Sequence, residues 1–336
     1  MSSDPASLSP TAPTGASAPT SDSDFSPSRL ARFAFWGNLV CQMGIIVTGG
    51  VVRLTGSGLG CSTWPQCTPG SFTPVMKHEL DIHPLIEFGN RTLAGVLTFF
   101  AVLLLVVTIR QLKHKGSGFL HLAIWPLILT IVQAVVGGLS VLADLHPGVV
   151  GPHFLLSPVL IAISAVLVYR LYDGSGIRRR LYQRIVYVLY WVLAVLTFTV
   201  LVLGTLVTGS GPHSGDAQYP ARLPFDPRAM SWLHADVVMV FIGVLIGMVV
   251  ALYLVHAQRK TLRAAWAVGI VTILQAVIGY VQYFTGLPEV LVGFHLAGSA
   301  LLAAAVSWLG ASLYAWDGSE PRVSTAPSSE HQPTSV

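Results

Sequence analysis

The stretch QAVVGGLSVLADLHPGVVGPH, residues 133–153, recurs later in the chain as QAVIGYVQYFTGLPEVLVGFH, residues 275–295. Each copy begins with Gln-Ala-Val-x-Gly and ends with Val-Gly-x-His, and the glutamine and the histidine are 20 residues apart in both. A match of this length without an insertion is not expected by chance, so it predicts a chain made of two related halves. Both copies keep a histidine, His153 or His295, at the edge of an apolar segment.

The composition indicates the class of protein in which these halves occur. Of the 336 residues, 53% are hydrophobic and only 10% are charged, whereas about 25% are charged in typical soluble domains. Apolar runs of about 20 residues, long enough to cross a bilayer, occur eight times between short charged or Gly/Pro-rich loops. They cover residues 31–52, 86–109, 119–142, 153–172, 185–208, 232–255, 264–285 and 293–316. We therefore predict an all-α integral membrane protein with eight transmembrane helices, and not a soluble protein with buried core helices.

The distribution of Lys and Arg predicts the orientation in the membrane. Of the 19 basic residues, 14 fall on one side of the predicted membrane and five on the other. Short loops rich in Lys and Arg stay in the cytoplasm, so we expect both termini there. This bias accounts for the net charge of +4 and the pI near 9.1, and nucleic acid is not implied as a partner.

The polar ends of the chain delimit the membrane part. Residues 1–28 are rich in Ser, Pro, Thr and Ala and contain no Lys or Arg, so we expect a disordered cytoplasmic tail there and another at 317–336. The first tail lacks the Arg-rich composition of a mitochondrial transit peptide and the basic start of a signal peptide. These features favour a multi-pass protein of the bacterial plasma membrane. Between the tails, the repeat predicts an N-terminal half at 29–180 and a C-terminal half at 181–316.

The relation between the halves extends beyond the repeated stretch. IVTGG at residues 46–50 resembles LVTGS at residues 206–210. Four helices per half return the chain to the side on which it started, so the repeat is parallel, and we expect two four-helix bundles. Gly137 and Gly279, four residues after the repeated glutamines, lie on the same helix face as those glutamines. They either permit close helix packing or leave room for a flat macrocycle.

Three histidines share one predicted depth. His153, His234 and His295 fall near the outer ends of the predicted helices 4, 6 and 8. A single histidine at a membrane edge is commonly a capping or snorkelling residue, but three at one depth, two of them in a repeated motif, indicate ligands. Imidazole suits haem iron, and facing helices of a bundle hold a porphyrin between them. Zinc is less favoured, because no carboxylate or thiolate lies beside these histidines.

The repeat also predicts where a fourth ligand belongs. Counting back from Gln133 by about the distance that separates His234 from Gln275 leads to Asn90, whose amide is a poor ligand for iron. We interpret this as the loss of one ligand from the N-terminal half. His83, two helical turns before Asn90 and on the same face, is a candidate substitute.

Glu87 lies on the helix stripe shared by His83 and Asn90. A carboxylate near the membrane core is costly and seldom incidental, so Glu87 is a candidate proton carrier or substrate-positioning group. The alternative is an ion pair between Glu87 and Arg91 at the level of the lipid headgroups, since the two residues are four apart on a helix.

Two cysteines lie close together in the first predicted outer loop. Cys61 and Cys67 flank STWPQ on the oxidising side of the membrane, where a disulfide persists. Such a bridge would be a structural clip worth about 2–3 kcal/mol, or alternatively a redox pair. The loop follows the run GGVVRLTGSGLG, so we expect it to overlie the mouth of the N-terminal bundle. Cys41, within the first helix, is interpreted as a small apolar residue.

Taken together, these motifs resemble the haem A synthase family. The similarity rests on GGVVRLTGSGLGCSTWPQC at 49–67, IEFGNR at 86–91 and the two QAVxG…VGxH blocks, and it covers about 31–316. The resemblance implies an oxidoreductase that converts a ring methyl of haem O to a formyl group through successive hydroxylation and loss of water. It implies partners of this reaction as well: the haem O substrate, the lipid bilayer along which the farnesyl tail lies, haem O synthase (protohaem farnesyltransferase), and an electron donor such as a quinol.

The same resemblance implies roles for individual residues. In the C-terminal half, His234 and His295 would ligate the iron of a haem b cofactor. In the N-terminal half, His153 and the position of Asn90 would face the iron of the substrate haem, while Glu87 is important for activity. A cysteine pair matching Cys61 and Cys67 forms a disulfide in the family. The chain departs from the pattern at Asn90, where better-known members have histidine, which leaves His153 alone or with His83.

Two functions from other classes remain as alternatives. A dihaem b-type electron carrier would also place histidines inside helical bundles, but it would be expected to keep four ligands. A transporter built from parallel repeats would be expected to carry ionisable or broken-helix features near the middle of the bilayer. The polar residues singled out here lie instead near the outer edge.

Overall fold

The computed structural model describes residues 26–75, 82–174, 177–212, 215 and 221–317. The predicted polar tails, 1–28 and 317–336, lie outside the described residues except for 26–28 and 317.

Eight long helices dominate the described part of the chain, and all eight are apolar and long enough to cross a membrane. They are α1 (Arg29–Leu54), α2 (His83–Gln111), α3 (Ser117–Leu142), α4 (Pro147–Tyr172), α5 (Arg184–Ser210), α6 (Pro227–Leu254), α7 (Arg259–Phe284) and α8 (Glu289–Ser312). A 3₁₀ turn at Lys113–Lys115 and two short strands, β1 (Ile177–Arg180) and β2 (Tyr314–Asp317), complete the fold. The predicted all-α membrane fold with eight spans is confirmed.

Several helices begin earlier than their apolar runs. The His146 side chain accepts a hydrogen bond from the Gly148 amide, so α4 starts at Pro147 and not at residue 153. The Asp226 side chain caps α6 in the same way. In α2 the first residue is His83, with a proline in the first turn, where its missing N–H costs nothing. As a result, His153, His234 and His295 lie inside helices and not at their edges, whereas the candidate ligand His83 is the first residue of α2.

The two ends of the helical bundle differ in what caps them. The end at which α1 stops and α2 starts carries residues 55–75, including the two paired cysteines, and is called the disulfide end below. At the opposite end, the Lys115 ammonium donates hydrogen bonds to the carbonyls of Arg170 and Asp173, where α4 stops. A cation is favourable beside the last carbonyls of a helix. Burial nevertheless lowers the pKa of Lys115 to about 8.

The opposite end also holds a pair of short strands that the sequence did not predict. Helix α8 was predicted to reach residue 316, but it stops at Ser312. The following residues form β2, which pairs antiparallel with β1 in the linker between the two halves, with Ile177 opposite Asp317. The linker and the end of α8 are thus joined by backbone hydrogen bonds.

The four helices of each half make contacts in the same order. In the first half α1 contacts α2, α2 contacts α3, α3 contacts α4 and α4 contacts α1, and α5 to α8 repeat this ring. This order supports the predicted parallel repeat and the boundary near residue 180, which both remain predictions. The halves are joined chiefly by α8, which packs on α1 and α4 as well as on its own half, and Trp308 of α8 contacts both apolar cores.

Large apolar side chains cover the outside of the helices. Phe99, Trp191 and Phe284 are 57%, 59% and 77% exposed, and many others are similar. Apolar surface of this extent is unfavourable in water and is expected of helices that face lipid.

Candidate functional site

Four positions singled out by the sequence lie at one level below the disulfide end. His153 and His295 are each six residues after the first residue of α4 and α8, while Asn90 and His234 are each seven residues after the first residue of α2 and α6. With a rise of about 1.5 Å per residue, all four lie about 10 Å along their helices.

In the C-terminal half, two of these histidines face each other. The ring centroids of His234 and His295 are 6.4 Å apart, and the ring planes are inclined by 67°. Each ring lies against a glycine of a neighbouring helix: a methyl group on Gly204 would be 3.6 Å from Cε1 of His234, and one on Gly279 would be 3.4 Å from Cε1 of His295. The contact at Gly279 supports the close-packing interpretation of this glycine, and the room for a flat macrocycle stays a prediction.

The two histidines line an apolar cavity of about 320 Å³. This volume is at the lower end of the range found for small-molecule and cofactor sites. Its walls come from α5 to α8 and from the ends of α1 and α4 at the disulfide end. Representative wall residues are Val200, Phe241, Leu302, Tyr283, Pro147 and Arg53.

The residues present fit a haem. Two bonds of about 2 Å from imidazole nitrogen to metal, with about 1 Å from each nitrogen to its ring centre, would separate two axial rings by about 6 Å, close to the 6.4 Å between His234 and His295. Among the described residues, no group of three or more His, Cys, Asp or Glu side chains is arranged to hold a metal ion. Two histidines suffice when a porphyrin supplies the other four nitrogens.

Among the described residues of the N-terminal half, one histidine, His153, occupies this level. A methyl group on Gly137 would be 2.9 Å from Cε1 of His153, which reproduces the contact between Gly279 and His295. The Nδ1 atom of His153 is buried and has no hydrogen-bond partner among the described residues. The amide of Asn90 is engaged elsewhere, because its Oδ1 accepts a hydrogen bond of 2.8 Å from the Thr48 hydroxyl of α1.

Near the hydrogen bond between Thr48 and Asn90, the surface of α1 at Gly44 has no described neighbour. Gly44, one turn before Thr48, corresponds to Gly204 in the second half, since IVTGG aligns with LVTGS. Gly204 contacts a histidine ring, whereas no described atom lies within 4 Å of a methyl group placed on Gly44. The smaller Asn90 side chain thus leaves α1 uncovered at the position where the His234 ring lies in the other half.

Glu87 is buried, and both of its carboxylate oxygens accept hydrogen bonds. It is 4% exposed, and its Oε2 accepts a hydrogen bond of 2.6 Å from the Cys61 backbone amide. Its Oε1 accepts from Nε and Nη2 of Arg91 at 3.1 and 2.6 Å. The predicted pair with Arg91 therefore exists, and it is partly buried, with the Glu87 side chain 6% exposed and the Arg91 side chain 20% exposed. Arg91 also donates to the carbonyls of Thr63 and Gln66. The ion pair therefore anchors the backbone of the disulfide loop to α2.

The disulfide loop covers the N-terminal half. Cys61 and Cys67 are bonded to each other, and Cys41 is the free cysteine of the chain. Between the bonded pair, the Trp64 indole packs directly on Gly138 of α3. The neighbouring residue Gly137 contacts His153, so the disulfide loop and this candidate ligand pack on the same turn of α3.

His83 contacts the segment that leads into this loop. Its Nδ1 atom is 2.8 Å from the Ser57 hydroxyl, and a methyl group on Gly60 would be 2.6 Å from the His83 carbonyl. These contacts support a role in anchoring the loop on α2. A role as an iron ligand stays a prediction.

The repeated glutamines tie the third helix of each half to the fourth. Gln133 donates to the Ser157 hydroxyl at 2.7 Å, and Gln275 donates to the His295 carbonyl at 2.9 Å. Ser157 is one turn after His153, so both bonds position a histidine-bearing segment. The sequence repeat indicated that the two glutamines are related, but it did not indicate which groups they bond. The feature of the sequence that pointed to this role is the equal spacing from each glutamine to its histidine.

We expect thiol labelling to find one reactive cysteine. In protein denatured without a reductant, only Cys41 should react with a maleimide, because Cys61 and Cys67 are bonded. After reduction, three thiols should react, as determined by intact mass. Three labels without reductant would contradict the bridge, and a Cys41→Ala variant that still takes up one label would do so as well.

The fold and the site define a helical membrane protein with a histidine pair across an apolar cavity. Residues 32–213, more than half of the chain, match the family of cytochrome oxidase assembly proteins, COX15-CtaA. The chain belongs to this family.

Curated relatives extend the similarity over most of the chain. The protein named "Heme A synthase" of Bacillus mycoides (strain KBAB4) is 22% identical over 295 residues, which cover 83% of this chain and 93% of the relative. Proteins of the same name from Bacillus cereus (strain 03BB102) and Bacillus anthracis (strain CDC 684 / NRRL 3495) match with the same identity and coverage.

Proposed function

We propose that this protein converts haem O to haem A for cytochrome oxidase assembly, by oxidising a ring methyl of the porphyrin to a formyl group. The family and the relatives named "Heme A synthase" support this reaction. The observation that carries it is the pair His234 and His295 across the apolar cavity, with the related His153 at the same level in the other half. The family gives no support to the alternatives of a plain electron carrier or a transporter.

The C-terminal cavity is the site of the resident cofactor, haem b. His234 and His295 would hold its iron, and Gly204 and Gly279 let both rings lie close to the helix walls. When bound, haem b supplies one-electron transfer to and from the substrate site. The apolar walls exclude water, and Gln275 fixes the backbone of His295 by bonding its carbonyl.

The N-terminal half is the site of the substrate, haem O. His153 would hold its iron, and Asn90, which stays bonded to Thr48, does not supply a second ligand. This does not obstruct the reaction, since the carbon oxidised is a peripheral methyl group. His83 is retained as a second candidate ligand, although its contacts with the loop offer less support.

Glu87 is the candidate catalytic residue in this half. Its carboxylate has about four lone-pair sites, and the Cys61 amide and Arg91 use three of them. The remaining site of Oε2 is available to a proton donor, such as a water or the hydroxyl formed on the substrate. Arg91 keeps the carboxylate oriented, and the disulfide loop above it restricts access from outside the bilayer.

The proposed partners and the membrane location follow from the chemistry of the substrate. Haem O carries a farnesyl tail, and the exposed apolar helix faces let that tail remain in the lipid while the porphyrin enters the bundle. Haem O synthase (protohaem farnesyltransferase) supplies this substrate, and a quinol or a similar donor supplies electrons. The protein spans the bacterial plasma membrane with both termini in the cytoplasm, as the distribution of Lys and Arg predicts.

Extraction of haems tests the proposed reaction. The chain is expressed in a host that makes haem O but no haem A, and the membrane haems are extracted and separated by chromatography. We expect haem A to appear only when the gene is present. An extract that contains haem O alone, from membranes in which the protein is inserted at normal level, would refute the proposed function.

A further inference from the structure

One face of α4 forms part of the wall of the C-terminal cavity, although α4 belongs to the other half. Four residues of α4 line this cavity: Pro147, Val150, Gly151 and Phe154. Their spacing, i, i+3, i+4 and i+7, places them on one face of the helix. The packing of α4 on α5 is close there, because a methyl group on Gly151 would be 3.8 Å from Thr205. Helix α4 is therefore a shared wall between the two halves.

The residue before Phe154 faces the other way. His153, the candidate ligand of the substrate haem, lies against Gly137 of α3 in the N-terminal half. Successive residues of a helix point about 100° apart, and Phe154 lines the C-terminal cavity. Two residues joined by one peptide bond thus face the two different sites.

Phe154 also lies at the level of the candidate ligands. It is seven residues after the first residue of α4, the same offset that His234 has in α6, and His295 is six residues after the first residue of α8. With a rise of about 1.5 Å per residue, these positions differ little in depth. The Phe154 side chain also packs against the apolar core of the N-terminal half, so it is held beside the histidine pair.

The internal repeat gives Phe154 a counterpart with a different side chain. Leu296 follows His295 just as Phe154 follows His153. Leu296 packs on α1, since a methyl group on Gly50 would be 2.8 Å from its side chain. Among the described residues that line the C-terminal cavity, Phe154 is the one aromatic residue that the N-terminal half supplies. The contact between the two sites is therefore aromatic on the side of α4.

We propose that Phe154 is the contact through which an electron passes between the C-terminal cavity and the substrate site. The inference rests on the proposed function, in which haem b exchanges single electrons with the substrate haem. The path from the cavity to the substrate iron then consists of the Phe154 ring, one peptide bond and the His153 imidazole. Electron transfer is faster along bonds and packed atoms than across a gap. In each transfer the cofactor iron loses one electron and the ferric substrate iron gains it, while Phe154 itself is not oxidised.

Stopped-flow absorption spectroscopy of the purified holoprotein tests this route. The haem b is reduced anaerobically with stoichiometric dithionite and mixed with saturating ferric haem O in detergent, so that the observed rate no longer depends on binding. In the wild type we expect a fast loss of the reduced low-spin bands. Phe154→Tyr keeps the ring and should retain this fast phase, whereas Phe154→Leu should slow it and Phe154→Ala should lose it.

Phe99→Leu is the matched control, because Phe99 is 57% exposed on the outside of α2 and does not line the cavity. It should retain the wild-type rate. Equilibrium measurements separate a role in electron transfer from a purely structural one. The haem b spectrum, its reduction potential and the binding of ferric haem O should be unchanged in Phe154→Leu and Phe154→Tyr.

The other outcomes separate this proposal from the proposed function. A wild-type protein whose reduced haem b is not oxidised by haem O would refute the exchange of electrons in the proposed function itself. If the wild type reacts fast and Phe154→Leu reacts equally fast, the route through Phe154 is refuted and the proposed function stands. Weaker haem O binding or a shifted potential in Phe154→Leu would overturn the route in favour of a packing role. If Phe154→Ala does not retain haem, the comparison of Phe154→Leu with Phe154→Tyr decides in the same way.

Discussion

Replacing His234 or His295 by alanine should abolish haem b binding while the protein still inserts into the membrane. The rings face each other at 6.4 Å, and an alanine on either side leaves the iron with a single axial ligand in an apolar cavity. We expect the narrow low-spin bands of a bis-histidine haem to disappear from the reduced-minus-oxidised spectrum. The measured quantity is haem per protein in detergent-purified samples.

His121→Ala is the matched control for this experiment. His121 is exposed near the start of α3, so the same substitution there should leave the spectrum unchanged. His153→Ala should also retain the haem b bands, because it alters the other half. Full-strength bis-histidine bands in His234→Ala or His295→Ala would show that the cavity is not the haem b site.

Glu87→Gln should lower haem A formation by about a hundredfold, the scale typical of a lost acid–base group. Glutamine keeps an oxygen that can accept from the Cys61 amide, but it carries no charge for Arg91 and accepts no proton. The haem b spectrum should survive, because Glu87 belongs to the N-terminal half. The haem A to haem O ratio in membrane extracts measures the effect.

Glu289→Gln provides the control, since Glu289 is an exposed carboxylate in the first turn of α8, also at the disulfide end. It should retain wild-type haem A formation. If Glu87 only anchors the disulfide loop, Glu87→Gln should retain activity and Glu87→Ala should lose it. That result would remove Glu87 from the chemistry and leave it as a structural residue.

The helices were predictable because lipid imposes a minimum apolar length, and all eight runs became helices. Their starting residues were less predictable: α4 and α6 begin at Pro147 and Pro227, in polar segments where a capping side chain sets the start. The pairing of β1 with β2 could not be foreseen, since Ile177–Arg180 is highly charged and the paired residues lie 134 to 140 positions apart in the sequence.

The candidate site was predictable to the extent that its residues repeat. The internal repeat and helix geometry indicated His153, His295, His234 and the altered position Asn90. Contacts that depend on how helices pack could not be predicted from the sequence. For example, Arg53 of α1 lines the cavity of the other half because α1 packs on α8. The bond from the Cys61 amide to Glu87 was missed because every residue carries such a backbone donor, and its use depends on the path of the loop.

The shared level of His153, His234 and His295 has a consequence for the energetics of electron transfer. Moving one charge across a whole membrane against 100 mV costs about 2.3 kcal/mol. If the substrate and cofactor irons lie at one depth, as their proposed ligands do, an electron passing between them travels parallel to the bilayer and crosses none of the potential. The exchange would then proceed equally well in energised and de-energised cells.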